Sequence, residues 1–179
     1  MKENFTLNKA IREAILQGLM KLLKTRRLEN ITVQDLTKVA GVSRSSFYRN
    51  FESKEQVLFL YLKELYQAFL AEEKRSGRTD RKALLVSRFH FIREHQDLFW
   101  ALHRNNLIFV AFDKMEMDII SMLSGTDQTL DDYYRAMLSG SFAAIIDKWF
   151  DHSLRESDEQ MAELFCRIPF RLDDILSRD

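Results

Sequence analysis

The sequence predicts an all-α protein of about nine helices, and three observations carry that expectation. Five glycines and one proline in 179 residues are too little punctuation for a run of hairpins. No segment alternates apolar and polar residues with the period of two that a half-buried strand needs. Apolar residues recur instead at three- and four-residue spacing, and Ser or Thr stands where helix N-caps belong. Apolar residues at 46% and charged residues at 30% describe an ordinary globular chain. Its length suffices for a real core, in one domain or two intimately packed units.

The first helix, near 7–25, places Ile11, Ile15, Leu19 and Leu22 on one face with charges opposite. Thr32 can N-cap a short helix carrying Val33, Leu36 and Val39/Ala40, with Asp35 as capping-box partner. Gly41 ends it, because a glycine tolerates the left-handed backbone of a C-cap. Ser43 can cap a helix over 44–50, and Ser53 a long one over 54–74, with Gln56 at its N3 position. That long helix sets Val57, Leu58, Tyr61, Leu65 and Phe69 at helical spacing and should join an N-terminal unit to the rest. The polar run 75–80 is the clearest break. Helices follow near 80–94, 96–104 and 106–124, with a second break at 124–127. The last two are expected at 129–151 and 157–177, Ser157 to Gln160 capping the second and Pro169 kinking or ending it.

Two short helices separated by a Gly-Val turn form a helix-turn-helix, whose second helix can enter a DNA major groove. At 100° per residue Arg44, Ser45, Tyr48 and Arg49 share one arc of that helix, while Ser46, Phe47 and Asn50 turn the other way. The first arc offers a guanidinium that can be bidentate to guanine, a hydroxyl and a phenol, groups suited to base edges or phosphates. Phe47, Val42 and Leu36 would form the small core that sets the angle between the helices. The net formal charge is zero, but its distribution is not even. Residues 1–54 hold eleven Lys/Arg against five Asp/Glu, a net of +6, and the remainder is −6. A basic unit on an acidic body is a local footprint for phosphate.

Residues 32–54 read T-V-x-D-L-x-x-x-A-G-V-S-x-x-x-F-Y-x-x-F-x-S-K. This string closely resembles the DNA-binding signature of TetR-type one-component transcription regulators, and the resemblance is strong over roughly residues 8–66. It implies a helix-turn-helix domain over 1–54, with its motif at about 31–50, and a helical effector-binding and dimerisation domain over 55–179. By the same resemblance Thr32, Ser46, Tyr48 and Lys54 occupy positions that touch the phosphate backbone. Gln34, Arg44 and Ser45 occupy positions that tend to reach bases, and Arg49 joins them on the exposed arc. The implied partner is a near-palindromic operator in double-stranded DNA.

The last two helices carry a second signal. Tyr134, Met137/Leu138, Phe142, Ile145/Ile146 and Trp149 make a stripe too wide for one contact, interrupted by Ser139, Gly140, Ala143 and Ala144. Met161, Leu164/Phe165, Ile168 and Leu172 recur on the second helix. A helix apolar on more than one side must be covered on more than one side. The family pairs such helices with those of a second subunit in a four-helix bundle, and a homodimer is the expected state. Residues 134–149, Y-R-A-M-L-S-G-S-F-A-A-I-I-D-K-W, look like the penultimate helix of a subgroup that includes dihydroxyacetone-kinase-operon regulators. Members of that subgroup can act as activators through a protein coactivator.

Between these elements lies an aromatic-rich segment. Phe89, Trp100, His103, Phe109 and Phe112, with Phe142, are expected to line an apolar cavity for a small effector. His90, His95 and Arg104 are further candidate anchors, while the alternative is that these rings fill a helical core. His90 and His95 are five apart rather than four, so no metal site is expected. The chain shows no nucleophile elbow, P-loop, dinucleotide fingerprint or HExxH, and neither an enzyme nor a cofactor is expected. No run of eighteen apolar residues suggests a membrane span. The N-terminus lacks the apolar core of a signal peptide and should start a helix. The single cysteine, Cys166, permits no internal disulfide, sits in an apolar stripe and suits a reducing, cytoplasmic setting. The expected function is a cytoplasmic transcription regulator, a repressor released by a small apolar or aromatic effector. The alternative is a regulator, activators included, controlled by a protein partner.

Overall fold

A computed structural model describes residues 2–114 and 131–167. Among those residues there are nine α-helices, one 3-10 turn and no strand. In chain order they are α1 (Lys2–Leu23), the 3-10 turn Leu28–Asn30, α2 (Val33–Ala40), α3 (Arg44–Asn50), α4 (Lys54–Ser76) and α5 (Arg81–Glu94). Then come α6 (Gln96–Arg104), α7 (Ile108–Lys114), α8 (Asp131–Asp151) and α9 (Asp158–Arg167).

The caps read from the sequence form as expected. Thr32 and Asp35 make a complete capping box on α2, and Gly41 closes that helix in the left-handed region at φ 67°. Ser43 Oγ accepts the Ser46 N–H on α3, and Ser53 Oγ accepts the Gln56 N–H on α4. The return bond on α4 differs: Gln56 Oε1 accepts from Glu52 N–H, one residue before the cap, at 2.6 Å. Ser157 and Gln160 bond reciprocally at the start of α9. The break expected at 75–80 is shorter, because α4 continues to Ser76 and Asp80 already caps α5.

Helices α1 to α3, with the first turns of α4, make a head around Leu19, Leu36, Phe47, Phe51 and Leu58, all buried. Gly18 lets α1 and α2 approach closely: a Cβ there would lie 3.1 Å from Ala40 Cβ and 3.2 Å from the Ala40 nitrogen. The body packs α5 against α9 and α7 against α8. Its interior is a chain of rings, Phe89, Phe99, Phe112, Phe142, Trp149, Phe150 and Phe165, all fully buried. Arg93 closes the α8–α9 connection: it pairs with Asp158 at 2.7 Å, donates to Glu156 O and lies over the Trp149 ring. Between α4 and α5, Arg88 and Glu73 form a buried pair at 2.9 Å.

Helix α8 has two faces. Phe142, Ile146 and Trp149 point into the chain's own core, while Tyr133, Ala136, Met137 and Ala144 are exposed on the opposite side. Gly140, on that outer side, faces open space. Phe142 and Phe165 therefore belong to the internal core, where their rings meet at 5.4 Å, and are not available to cover a second subunit. Ala143 is likewise internal. The wide stripe in the sequence merged two faces that the helix separates. On α9, Leu164 is exposed, and so is Cys166, which lies off the buried stripe of Met161, Ala162 and Phe165. The expected kink at Pro169, and the remainder of the helices expected to reach 124 and 177, lie outside the described residues.

Candidate nucleic-acid interface

The α2–turn–α3 unit presents one polar face. Phe47 is completely buried and fixes the rotation of α3, so Arg44, Ser45, Tyr48 and Arg49 all point outward. Tyr48 is 54% exposed, its ring set edge-on against Phe47 at 5.3 Å, which holds the phenol away from the core. Thr32 and Gln34 are exposed at the start of α2, beside that face. Ser46 is half-buried, its hydroxyl 2.9 Å from Ser43 Oγ, and Asn50 Nδ2 donates to Ser46 O at 2.8 Å. Ser45 Oγ also lies 2.8 Å from Ser43 Oγ, so one cap residue organises the first turn of α3.

Neither Arg44 nor Arg49 pairs with a carboxylate among the described residues, which leaves both guanidiniums free for an anionic partner. Asp35, the nearby carboxylate of α2, is committed elsewhere. It accepts the Thr32 N–H at 3.1 Å and the Thr32 hydroxyl at 2.9 Å, with Arg26 at 3.2 Å. The Thr32 backbone bond first, then its hydroxyl, hold the Asp35 carboxyl below its ordinary pKa. A capped, rigid face with free cations and no free carboxylate at its centre suits a phosphate backbone and base edges.

Lys54 is placed differently from the other members of the set. Its ammonium donates to Leu28 O at 2.6 Å and to Ile31 O at 2.5 Å, turning inward on the 3-10 turn. Two residues with a part in the head gave no sequence signal. Gly18 reads as an ordinary mid-helix glycine until α2 is seen against it. Asn105 reads as a polar residue after a helix, yet its Oδ1 accepts the Leu28 N–H at 2.7 Å across 77 residues of sequence.

The six aromatic-segment residues do not converge on one space. Phe89, Phe112 and Phe142 come together, with centroids 5.4 Å apart for Phe89 and Phe142 and 5.7 Å for Phe112 and Phe142. At those separations the rings touch and leave no gap for a ligand between them. Trp100 and His103 pack instead on Phe150, and His103 Nδ1 lies 2.7 Å from Asp147 Oδ1 on α8. Phe109 is 51% exposed. Of the other candidate anchors, His90 is exposed between Glu94 and Asp158, and Arg104 lies over the Trp100 ring. A cleft of about 510 Å³ does open between α1, α4 and the α5–α6 turn. Leu16, Met20, Tyr61, His95 and Leu98 line it, and none of the six residues does. Among the described residues no group of three or more His, Cys, Asp or Glu could hold a metal ion, and no helix is long and apolar enough to cross a membrane.

Residues 15–60, which run from α1 to the second turn of α4, match the family model of bacterial regulatory proteins of the tetR family. The HTH-type transcriptional regulator EthR of Mycolicibacterium smegmatis is 51% identical over 45 residues, 25% of this chain and 21% of that protein. EthR of Mycobacterium tuberculosis is 51% identical over 49 residues, 27% of this chain and 23% of the relative. The alignments span less than a quarter of the length of these curated relatives. The cations on α3 sit inside the segment that the family model matches. Residues 15–60 thus resemble the helix-turn-helix domain of bacterial regulatory proteins of the tetR family.

Proposed function

We propose that the chain is a sequence-specific DNA-binding transcription regulator that acts as a homodimer on a near-palindromic operator. The observation that carries this reading is the exposed arc of Arg44, Ser45, Tyr48 and Arg49 on a helix whose caps and buried Phe47 fix its orientation. The tetR-family match across that segment supports it. Thr32 and Gln34 extend the contact face from α2. One head reads only a half-site, so two copies about one DNA turn apart are needed for a two-fold site. The outer face of α8, with Tyr133, Ala136, Met137 and Ala144 exposed, supplies a surface for that pairing. Selection from genomic fragments at low salt, beginning with DNA that flanks its own gene, tests the reading. Enrichment of a near-palindrome is expected, and a protein that retains no duplex would end it.

Control by a small apolar or aromatic effector is the first form of regulation we propose, making the chain a repressor that releases DNA when filled. An effector using Phe142 must part rings that now touch. The second reading, a regulator that answers to a protein partner, is favoured by those same closed rings and by the apolar side chains of Phe109 and Val110 on the outside. The resemblance of 134–149 to regulators with a coactivator points the same way. A cytoplasmic setting follows from either form.

A further inference from the structure

The backbone of Leu28 lies in the 3-10 turn between α1 and α2, and both the N–H and the C=O of this residue are gripped from outside the turn. Its N–H donates to Asn105 Oδ1 at 2.7 Å, and its C=O accepts from Lys54 Nζ at 2.6 Å. Asn105 belongs to the body, at the C-terminal end of α6, where its Nδ2 is itself fixed by donating to Ala101 O at 2.7 Å. Lys54 opens α4, and its second donation, to Ile31 O, holds the residue just before the α2 cap. Leu28 and Ile31 are buried, so the turn is also anchored by its side chains. Two residues before Asn105, His103 is bound to Asp147 on α8. The end of α6 is therefore tied on one side to the helix with the exposed outer face, and on the other to the turn from which α2 starts.

We infer that the Leu28 backbone is the clasp by which the body sets the position of the DNA-reading head, with Asn105 and Lys54 as its positioning residues. Lys54 then acts on DNA through the turn it holds and not as a phosphate ligand. An ammonium with two of its three protons on carbonyls is poorly placed to release a counterion from DNA. Buried backbone groups lose a hydrogen bond at a cost, so either truncation should loosen the turn rather than be silent. This inference rests on the DNA-binding reading for its consequence, but the clasp itself is testable without DNA.

The first arm measures amide hydrogen exchange by NMR on the full chain. Asn105→Ala and Lys54→Met should each speed exchange at Leu28 by tenfold or more, with core amides such as Leu19 and Phe89 unchanged. Asn105→Asp, which keeps the acceptor, should stay near wild type at Leu28. If Asn105→Ala fails to fold, Asn105→Ser and Lys54→Arg take the same measurement. Unchanged Leu28 exchange in the truncations overturns the clasp. The second arm measures binding to a mixed-sequence DNA duplex against salt. Loss of a phosphate contact flattens the log–log slope by about one. Lys54→Met should leave the slope unchanged, whereas Arg49→Ala should flatten it. A slope flattened by Lys54→Met overturns the positioning role. If the wild-type chain shows no salt-dependent binding at all, the DNA reading fails while the exchange arm still decides the clasp.

Discussion

Arg44 and Phe47 divide the work of α3 between contact and placement, and their substitutions should separate the two. Arg44 is exposed and has no carboxylate partner among the described residues, so Arg44→Ala should fold normally and weaken the selected site by about 1–3 kcal/mol, relaxing preference at one base pair. Binding titrations across single-base variants of the site check this. Phe47→Ala should instead cost about 3–5 kcal/mol of stability, since it empties the centre of a small head. Thermal melting reads that loss directly. Gly18 sets a third kind of constraint, on the distance between helices. Gly18→Leu would drive a side chain into Ala40 and should cost about 1–3 kcal/mol by overpacking, with binding lost as α2 shifts.

The capping box on α2 makes that element sensitive to acid. Asp35 is held below its ordinary pKa by the Thr32 N–H and hydroxyl. Its contribution to stability is therefore present above the unfolded carboxyl pKa and is lost as pH falls through the lower folded value. Wild-type chain should lose stability below about pH 4, where Asp35→Asn removes this part of the acid response. Melting temperature against pH for the two proteins tests the sign. Caps and turns were the most legible elements in the sequence, because each depends on residues three or four apart. The α3 arc was legible for the same reason: a helix seven residues long with one large apolar side chain has only one way to face. What the sequence concealed depends on contacts between distant segments. Phe142 and Phe165 look alike to any partner, and only the folded chain, in which the two rings meet and are buried, assigns them to its own interior. Lys54 bears the right charge for DNA, and only the fold shows that carbonyls 23 and 26 residues away occupy it.

At the scale of the molecule, the two forms of regulation give opposite results in one screen. If a small effector is the signal, some member of an apolar and aromatic library should raise the melting temperature, by an amount equivalent to about 2.7 kcal/mol at a hundredfold excess over Kd. If a protein partner is the signal, the library should leave it unmoved and Phe109→Asp should abolish the response without affecting DNA binding. Assembly has its own test. Met137→Arg places a charge on the exposed face of α8, and sedimentation velocity should then show a folded monomer, whereas the wild type is expected to run as the proposed dimer.

That monomer would be folded because Phe142, Trp149 and Phe150 of α8 are already covered by their own chain. A dimer built only on the outer face comes apart into two intact molecules, and each can find a new mate. Subunits from two labelled populations should therefore mix at rates set by separation alone, well below the temperature of unfolding. In a cell with few copies, occupancy of a two-fold operator would then rise with the square of chain concentration, and a modest change in synthesis would move the gene it governs by more than its own proportion.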